Sequence, residues 1–156
     1  MRNQDGGFLD ANRVSGRKAA RQMQRLKAIT PGVSVMNVAF IAHDEKKPAL
    51  IEFANTHTEL LEQFDCMATG STGERLNDET DLTVERVESG ARGGDMMIGA
   101  AVAADECDAV IFLRDPLTAQ PHEPDIVALL RVCDVHDVPF ATNHASADAI
   151  IEYLAE

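Results

Sequence analysis

The sequence predicts an α/β fold: a single doubly wound domain whose five-stranded, mainly parallel sheet carries helices on both faces. Two observations predict it. Five short apolar runs recur along the chain, and the segments between them carry apolar residues at helical spacing. Strands that alternate with helices form βαβ units, which make the strands parallel and cover both faces of the sheet. The length of 156 residues fits one such domain.

Five apolar runs predict the strands, because β-branched and other apolar residues fill buried parallel strands almost without interruption. In chain order the runs are NVAFIA (37–42), FDCMA (64–68), LTVERV (82–87), DAVIFL (108–113) and VPFAT (138–142). Polar or turn-forming residues bound the runs, so we expect five separate strands in one sheet.

Four stripes of apolar residues at helical spacing predict helices between and after these strands. They are Leu50, Phe53, Ala54, His57 and Leu61, then Met97, Ile98, Ala101 and Val102, then Ile126, Leu129, Leu130 and Cys133, and last Ala147, Ile150, Ile151 and Leu154. Because His57 lies within the first stripe, we expect it to have a structural role.

Charge divides the chain into two segments. Residues 1–36 carry seven Lys/Arg and two Asp/Glu, a net charge of +5, whereas residues 37–156 carry seven Lys/Arg and 24 Asp/Glu, a net charge of −17. We interpret residues 1–35 as a basic extension that is disordered or not translated, since Met36 directly precedes the first strand, and residues 36–156 as the domain. Such an acidic domain repels nucleic acid. Its surface, poor in lysine, suits a salt-rich cytosol, where screening weakens self-repulsion.

The chain has none of the sequence features of a membrane or secreted protein. No apolar stretch reaches the roughly 20 residues of a membrane helix, and the N-terminus has no secretory-signal pattern. We therefore expect a cytoplasmic protein without a membrane partner. Cys66, Cys107 and Cys133 form no CxxC pair, which predicts reduced thiols in apolar surroundings and neither a disulfide nor a metal site.

Polar or conformationally special residues follow every predicted strand almost without a gap. The segments are His43-Asp44, TGSTG (69–73), SGARGGD (89–95), RDP (114–116) and TNHAS (142–146). The carboxyl ends of parallel strands meet at one edge of the sheet, where open α/β sheets bind their ligands. We therefore expect these five loops to build a single site.

The TGSTG segment is typical of phosphate binding at the start of a helix. Its small residues let backbone N–H groups converge, and the hydroxyls of Thr69, Ser71 and Thr72 add donors. It matches neither the Walker loop nor the dinucleotide GxGxxG pattern, and a plain tight turn is the alternative interpretation. Lys47 would supply a cation to the phosphate, unless it is a solvated helix lysine.

The SGARGGD segment opens the next predicted helix. Ser89 and Gly90 would donate hydrogen bonds to phosphate oxygens, and Arg92 would bring positive charge. Asp95 falls in the first helical turn. There the alternative to a chemical role is helix capping, which stabilises a helix by about 0.5–2 kcal/mol.

The RDPLTAQPHEPD segment carries Asp115, His122 and Asp125. At a spacing of three residues, His122 and Asp125 would both reach one ligand. The alternatives are an exposed His122 and a helix cap at Asp125. The histidine and aspartate pairs match no zinc spacing, so we expect no metal. Phosphate donors, carboxylates and a histidine around one pocket favour proton abstraction from a small phosphorylated carbonyl compound.

Five segments of the chain resemble the methylglyoxal synthase family in order and spacing. They are IAHDEKK, ATGSTG, SGARGGD, DAVIFLRDPLTAQPHEPDIVALLR and VPFATNHASADAII, within about residues 37–152. The combination of GGD, DPL and PHxPD is specific to this family. The resemblance implies an enzyme that converts dihydroxyacetone phosphate to methylglyoxal and inorganic phosphate, without a metal or organic cofactor and usually as a homohexamer.

The resemblance also implies roles for individual residues. Asp95 matches the catalytic base, and His122 matches a histidine that donates or shuttles a proton beside the substrate oxygens. Asp44 and Asp125 match carboxylates that orient the site, and Asp115 matches a carboxylate near His122. The substrate- and phosphate-binding positions correspond to His43, Lys47, Thr69, Gly70, Ser71, Thr72, Ser89 and Gly90.

One departure from the family pattern concerns a phosphate-binding arginine. Many members carry a further C-terminal stretch whose arginine reaches the phosphate in a neighbouring subunit, and this chain ends at Glu156 without it. We expect Arg92 to replace that arginine in part.

Other functions stay open on sequence grounds. The same fold occurs as the regulatory domain of carbamoyl phosphate synthetase, which binds small effectors and performs no chemistry. Another phosphosugar enzyme, an isomerase or an aldolase, is a second alternative, although an aldolase would need a Schiff-base lysine or a metal. An interaction protein that acts through the basic extension is a third.

Overall fold

Five strands form one sheet in the computed structural model, which describes residues 35–120 and 123–156. The strands are β1 Asn37–Ala42, β2 Asp65–Ala68, β3 Val84–Arg86, β4 Ala109–Leu113 and β5 Phe140–Ala141. All five predicted strands are confirmed, and β3 and β5 are shorter than their apolar runs. The basic extension predicted over residues 1–35 lies, except for Val35, outside the described residues.

The strand order is β3-β2-β1-β4-β5, and all four neighbouring pairs are parallel. Val38 of β1 lies opposite Cys66 on one side and Ala109 on the other. From β1 at the centre, the chain adds β2 and β3 on one side of the sheet. It then returns to the other side of β1 and adds β4 and β5 there. The carboxyl ends of β1 and β4 flank the point where this direction changes, which is where such sheets bind ligands.

Six α-helices and two 3-10 turns are present in the described residues. The helices are α1 Lys47–Thr56, α2 Thr58–Leu61, α3 Gly70–Glu79, α4 Gly94–Ala103, α5 Glu123–Val135 and α6 His144–Ala155, and the 3-10 turns span Asp44–Lys46 and Gly90–Arg92. The first predicted helix is interrupted at His57, whose ψ of 21° ends α1. The His57 imidazole contacts the Asp148 carboxylate of α6 at 2.7 Å, which gives this histidine a structural role.

The sheet buries an apolar layer on each face, because successive strand residues point to opposite sides. Val38 and Phe40 of β1 pack in one layer with residues of α1, α3 and α6. Ala39 and Ile41 pack in the other layer with residues of α4 and α5. This arrangement confirms the doubly wound prediction, and residues Met36–Glu156 form one compact unit.

The three cysteines are buried free thiols, as predicted. Burial raises the pKa of Cys66 and of Cys107 to about 12 and the pKa of Cys133 to about 11. Thiolates are the reactive form of cysteine, so these side chains act as apolar packing residues at neutral pH. In the described part of the chain, none of the helices combines the length and hydropathy needed to cross a bilayer.

Candidate active site

A cavity of about 190 Å³ opens at the carboxyl edge of the sheet, beside the ends of β1 and β2. Nine of the predicted site residues line it: His43, Asp44, Lys47, Thr69, Ser71, Thr72, Ser89, Gly90 and Asp95. The loops after β1, β2 and β3 therefore converge as the sequence predicts. The expectation of a single site is wrong in part, because Arg114, Thr142 and His144 line a separate cavity.

The TGSTG segment forms the first turn of α3 and not a loop before it. Thr69 has extended backbone angles, and the helix begins at Gly70. The hydroxyl of Thr69 lies 3.3 Å from the hydroxyl of Thr72. The Thr72 hydroxyl also lies 3.5 Å from the carbonyl oxygen of Ala42. The amide N–H groups of this turn and the positive end of the helix dipole favour an anion in the cavity.

The SGARGGD segment turns sharply because two glycines allow it. Gly93 has a φ of 95°, in the left-handed region that favours glycine. A Cβ atom on Gly94 would lie 2.0 Å from the carbonyl oxygen of Glu88, so the backbone closes on itself at that point. The turn is held by hydrogen bonds from the amides of Arg92 and Gly94 to the Ser89 carbonyl, each 2.9 Å long.

This turn delivers Asp95 into the cavity. The residue is 1% exposed and lies in the first turn of α4, next to the Ser89 and Gly90 backbone that also lines the cavity. Gly70 packs behind Ser89, since its amide donates to Glu88 at 3.1 Å and a Cβ there would lie 3.1 Å from the Ser89 nitrogen. A buried carboxylate and a set of anion-binding donors therefore occupy the same small volume.

Lys47 brings the positive charge to this cavity. Its side chain is only 9% exposed, so the interpretation as a solvated helix lysine is wrong. The ammonium group pairs with the carboxylate of Asp44, and this hydrogen bond and charge lower the pKa of Asp44. Asp44 itself is exposed at the cavity mouth.

The orientation of His43 is fixed by the backbone of Asp115. The Asp115 amide donates to Nδ1 of His43 at 2.9 Å, so Nδ1 is unprotonated and the neutral ring carries its proton on Nε2. The ring also packs edge-on against Phe112, with centroids 5.1 Å apart. The geometry therefore makes His43 a hydrogen-bond donor at the cavity wall.

Asp115 is buried beside this cavity and does not line it. Its carboxylate accepts a 3.1 Å hydrogen bond from the Leu117 amide. The Thr118 hydroxyl, this amide and the charge of Lys46 hold the pKa of Asp115 below its usual range. Asp115 thus stays ionised and orders the loop that follows β4.

Three of the remaining predicted residues are placed elsewhere, and one is not described. The Arg92 side chain is 78% exposed and lies 3.7 Å from the Glu88 carboxylate, outside the cavity lining. Asp125 is partly buried on α5, also outside the lining, and Gly70 acts through its packing against Ser89. His122 lies outside the described residues. Across residues 35–120 and 123–156, no group of three or more His, Cys, Asp or Glu side chains is arranged to hold a metal ion.

Gln120 lines the cavity and is absent from the sequence prediction. The only signal that points to it is its place in the TAQPH stretch, two residues before His122. Its side-chain amide donates from Nε2 to the Thr118 carbonyl at 3.3 Å.

Comparisons with known proteins agree on one family. A family model described as "MGS-like domain" matches residues 49–142. The chain is 58% identical to the methylglyoxal synthase of Carboxydothermus hydrogenoformans over 120 residues, which are 77% of this chain and 99% of that relative. It is 50% identical to the methylglyoxal synthase of Bacillus subtilis over 121 residues, 78% of this chain and 88% of that relative.

A solved structure is similar in fold as well as in sequence. The crystal structure of methylglyoxal synthase from Elizabethkingia anophelis matches with a TM-score of 0.72 and 38% identity. The match covers 75% of this chain and 77% of that chain.

Proposed function

The chain belongs to the methylglyoxal synthase family, and from this membership we propose that it is a carbon–oxygen lyase that converts dihydroxyacetone phosphate to methylglyoxal and inorganic phosphate through an enediolate. The observation that carries the proposal is the buried carboxylate of Asp95 in the same cavity as the anion-binding turns and Lys47. A substrate with a phosphate at one end and an acidic C–H bond at the other fits this pairing of groups.

Asp95 is the base in this proposal. It takes a proton from the hydroxymethyl carbon of the substrate, and the electron pair of that C–H bond forms the C=C bond of an enediolate. An exposed aspartate, with a pKa of about 3.9, is a weak base for this step. Withdrawal of water from a carboxylate strengthens it as a base, and a fixed orientation lowers the barrier further. The burial of Asp95 supports both effects.

The phosphate group is held by the hydroxyls and amides of the two glycine-rich turns. Thr69, Ser71, Thr72, Ser89 and Gly90 supply these donors, and Lys47 supplies the charge. The site selects elimination by holding the C–O bond of the ester perpendicular to the enediolate plane. In that orientation the electron pair of the enediolate expels phosphate. The resulting enol then gains a proton at its methylene carbon and loses its hydroxyl proton, which gives methylglyoxal. An ester held in the plane would survive, and the outcome would be isomerisation.

His43 donates its Nε2–H to the oxygen that was the ketone and stabilises the enediolate. The fixed neutral tautomer supports this role, because a donor that is oriented in advance needs no reorganisation during the reaction. By resemblance to the family, we assign His122 to proton transfer at the same oxygens. Asp44 and Asp125 orient the site and assist proton transfer, and Asp115 is a carboxylate near His122.

One assay tests the whole proposal. Purified protein is supplied with dihydroxyacetone phosphate and a chelator, and methylglyoxal, free phosphate and glyceraldehyde 3-phosphate are followed together. We expect methylglyoxal and phosphate in equal amounts. Phosphate binding without turnover would instead favour a regulatory domain, and glyceraldehyde 3-phosphate would favour an isomerase.

The role of Asp95 is tested by Asp95→Asn with Asp134→Asn as its control. Asp134 is an exposed aspartate of α5 that does not line the cavity, so it provides the same chemical change outside the site. We expect kcat to fall by about 100-fold or more in Asp95→Asn, as general-base removal does. Inorganic phosphate should still inhibit the residual activity. A kcat that is unchanged in Asp95→Asn would overturn the assignment.

We further propose a cytoplasmic homohexamer adapted to high salt, on the resemblance and the net charge of −12. Exposed apolar side chains on α4 and α5, Met96 and Val127 among them, support an interface on that face of the sheet. Light scattering after gel filtration should give about six times the 16.9 kDa chain mass. Val127→Asp should lower this mass, whereas Tyr153→Asp, on the opposite face, should not. A monomeric wild-type protein would exclude the assembly.

A further inference from the structure

The anion-binding donors of the catalytic cavity, which Asp95 lines, come from two separate segments of the chain. Residues 69–72 lead into and begin α3, and residues 89–90 follow β3. One phosphate group meets both sets of donors only when the two segments keep a fixed separation. The backbone contributes one tie, a 3.1 Å hydrogen bond from the Gly70 amide to the Glu88 carbonyl.

The strand that leads into the second segment is weakly held. β3 has three residues and lies at the edge of the sheet, where β2 is its only partner strand in the described part of the chain. Its last residue, Arg86, lies opposite Ala68 of β2. A short edge strand with one ladder opens more easily than a central strand, so further ties at its end matter for the segment that follows.

The side chain of Arg86 provides such a tie. Its Nε donates to the Gly70 carbonyl oxygen at 2.9 Å, and its Nη2 lies 3.8 Å from the carboxylate of Glu74. Gly70 and Glu74 are four residues apart, so they lie on the same face of α3. The guanidinium therefore connects the end of β3 to the first turn of the helix that carries the other donors.

Gly73 leaves the space that the Arg86 side chain needs to reach this position. A Cβ atom on Gly73 would lie 2.7 Å from Cγ of Arg86 and 3.6 Å from its Cβ. The Cγ atom is close to the backbone, so it has little freedom to move aside. The second glycine of the TGSTG segment is therefore required by the packing of an arginine stem against α3, and it does not itself line the catalytic cavity.

Arg86 lies outside the cavity whose wall it supports. Ser71 and Ser89 line the catalytic cavity, and they also line an open groove beside it, together with Arg86. Arg86 is absent from the lining of the catalytic cavity, and its side chain is 48% exposed. Its effect on a ligand in that cavity is therefore transmitted through the backbone at Gly70.

We propose that Arg86 is a positioning residue of the phosphate site. By holding the Gly70 carbonyl, it fixes the first turn of α3 against the turn after β3, so that the donors of both turns converge before the ligand arrives. Donors fixed in advance lose less conformational freedom on binding, which raises the affinity. The inference rests on the proposed function, because it takes the bound phosphate to be that of the substrate.

Calorimetric titration with inorganic phosphate at constant ionic strength tests the role of Arg86. Arg86→Met keeps the aliphatic stem and removes the donor and the charge, and we expect it to bind phosphate roughly fivefold more weakly. Arg86→Lys keeps a charged donor and should recover part of that affinity. The Michaelis constant for dihydroxyacetone phosphate should rise with the phosphate dissociation constant, while kcat changes less, because the base and its surroundings are untouched.

Arg75→Met is the matched control, since it makes the same substitution and the same charge change on the same helix. Arg75 pairs with Glu79 at 2.6 Å and does not line the catalytic cavity. Its removal should leave the phosphate affinity unchanged. A residue that served stability alone would lower the melting temperature and leave the affinity, measured well below that temperature, as it is in the wild type.

Gly73→Ala tests the same tie from the side of the helix. It should weaken phosphate binding in the otherwise wild-type protein, because its methyl group displaces the Arg86 stem. In the Arg86→Ala background the stem is gone, so Gly73→Ala should weaken binding no further. Such a non-additive cycle is expected only when the two residues act through one contact.

Three results overturn the proposal: the wild type does not bind phosphate, Arg86→Met binds it no more weakly than Arg75→Met, or Gly73→Ala has the same effect with and without the Arg86 side chain. Should Arg86→Met fail to fold, as judged by circular dichroism, Gly73→Ala alone carries the test and must weaken phosphate binding. A protein without lyase activity whose phosphate affinities follow the expected pattern would refute the proposed function and leave the role of Arg86 standing. Lyase activity with unchanged affinity in Arg86→Met would do the reverse.

Discussion

Gly94 has a backbone position that only glycine can occupy, and it determines where the proposed base Asp95 lies. It precedes Asp95 directly, and the carbonyl oxygen of Glu88 occupies the position that its Cβ would need. We predict that Gly94→Ala displaces the SGARGGD turn, lowers the free energy of unfolding by about 2 kcal/mol or more, and reduces kcat through misplacement of Asp95. Urea unfolding and steady-state kinetics measure the two effects.

Gly99 provides the matched control for this change, since it lies one and a half turns further along α4. A Cβ on Gly99 would meet only Leu129, at an ordinary contact distance of 3.7 Å. Gly99→Ala should therefore leave kcat unchanged and stabilise the protein by up to about 1 kcal/mol, because alanine has the higher helix propensity. Equal losses of stability in both variants would refute the argument from the Glu88 carbonyl.

Thr118 is predicted to control the ionisation of Asp115. Its hydroxyl is the strongest of the groups that lower the pKa of this carboxyl. Thr118→Val should raise the pKa of Asp115 towards its usual range, whereas Thr118→Ser, which keeps the hydroxyl, should not. Titration of the Asp115 carboxyl by carbon-13 NMR measures the shift, and an identical pKa in all three proteins would contradict it.

The same shift has a consequence for stability. A carboxyl whose pKa is lower in the folded than in the unfolded protein stabilises the fold above its unfolded pKa and loses that effect as pH falls through the folded pKa. Wild type should therefore be more stable than Thr118→Val at about pH 6. The part of this difference that is due to Asp115 should decrease as the pH falls through the lowered pKa of Asp115 in the folded wild type.

At the scale of secondary structure, α3 holds the edge strand β3 through one side chain. Asn77 donates from Nδ2 to the Val84 carbonyl at 3.0 Å, and its Oδ1 accepts from the Val84 amide at 2.8 Å. We predict that Asn77→Ala speeds amide hydrogen exchange in β3 and, because β3 leads into the SGARGGD turn, weakens phosphate binding. Asn55→Ala, on the exposed side of α1, should change neither. Unaltered exchange in Asn77→Ala would show that the ladder to β2 alone fixes this strand.

The elements also show what the sequence can and cannot predict. β1 follows its apolar run residue for residue, because a central strand is buried on both faces, whereas the edge strand β5 keeps only Phe140–Ala141 of its run. The break at His57 escapes prediction, since apolar spacing continues through it to Leu61. His57 contacts Asp148, which is 91 residues away in sequence, and the apolar spacing carries no sign of this pairing.

The cavity lined by Asp95 also shows which placements the sequence predicts and which it does not. The segments that follow β1, β2 and β3 converge as the sequence predicts, because the topology of a parallel sheet brings those positions together. The direction of a loop side chain carries no such signal. Arg92 lies beside Glu88 outside the lining, Gln120 lies inside it, and Lys47 is buried although its partner Asp44 is exposed. The division of the sheet edge into two cavities depends on the same side-chain directions.

For the whole molecule, the net charge of −12 predicts a stability that depends on salt. Like charges destabilise a compact state, and raising the salt from about 0.1 M to 1 M shortens the screening length from about 10 Å to about 3 Å. We expect the melting temperature to rise by several degrees between these concentrations of potassium chloride. Salt also strengthens apolar burial by a route that does not involve charge, so the rise alone does not identify its cause.

Removal of exposed carboxylates separates the two causes. Glu59, Glu62 and Glu152 are exposed on the side of the sheet covered by α1, α2 and α6. Glu59→Gln/Glu62→Gln/Glu152→Gln lowers the negative charge by three and leaves the apolar layers intact. If self-repulsion dominates, the triple variant should melt at a higher temperature than wild type in low salt. The two melting temperatures should converge in 1 M salt, where the screening length is only about 3 Å. Parallel shifts in both proteins would instead attribute the salt response to apolar burial and exclude an electrostatic role for the acidic surface.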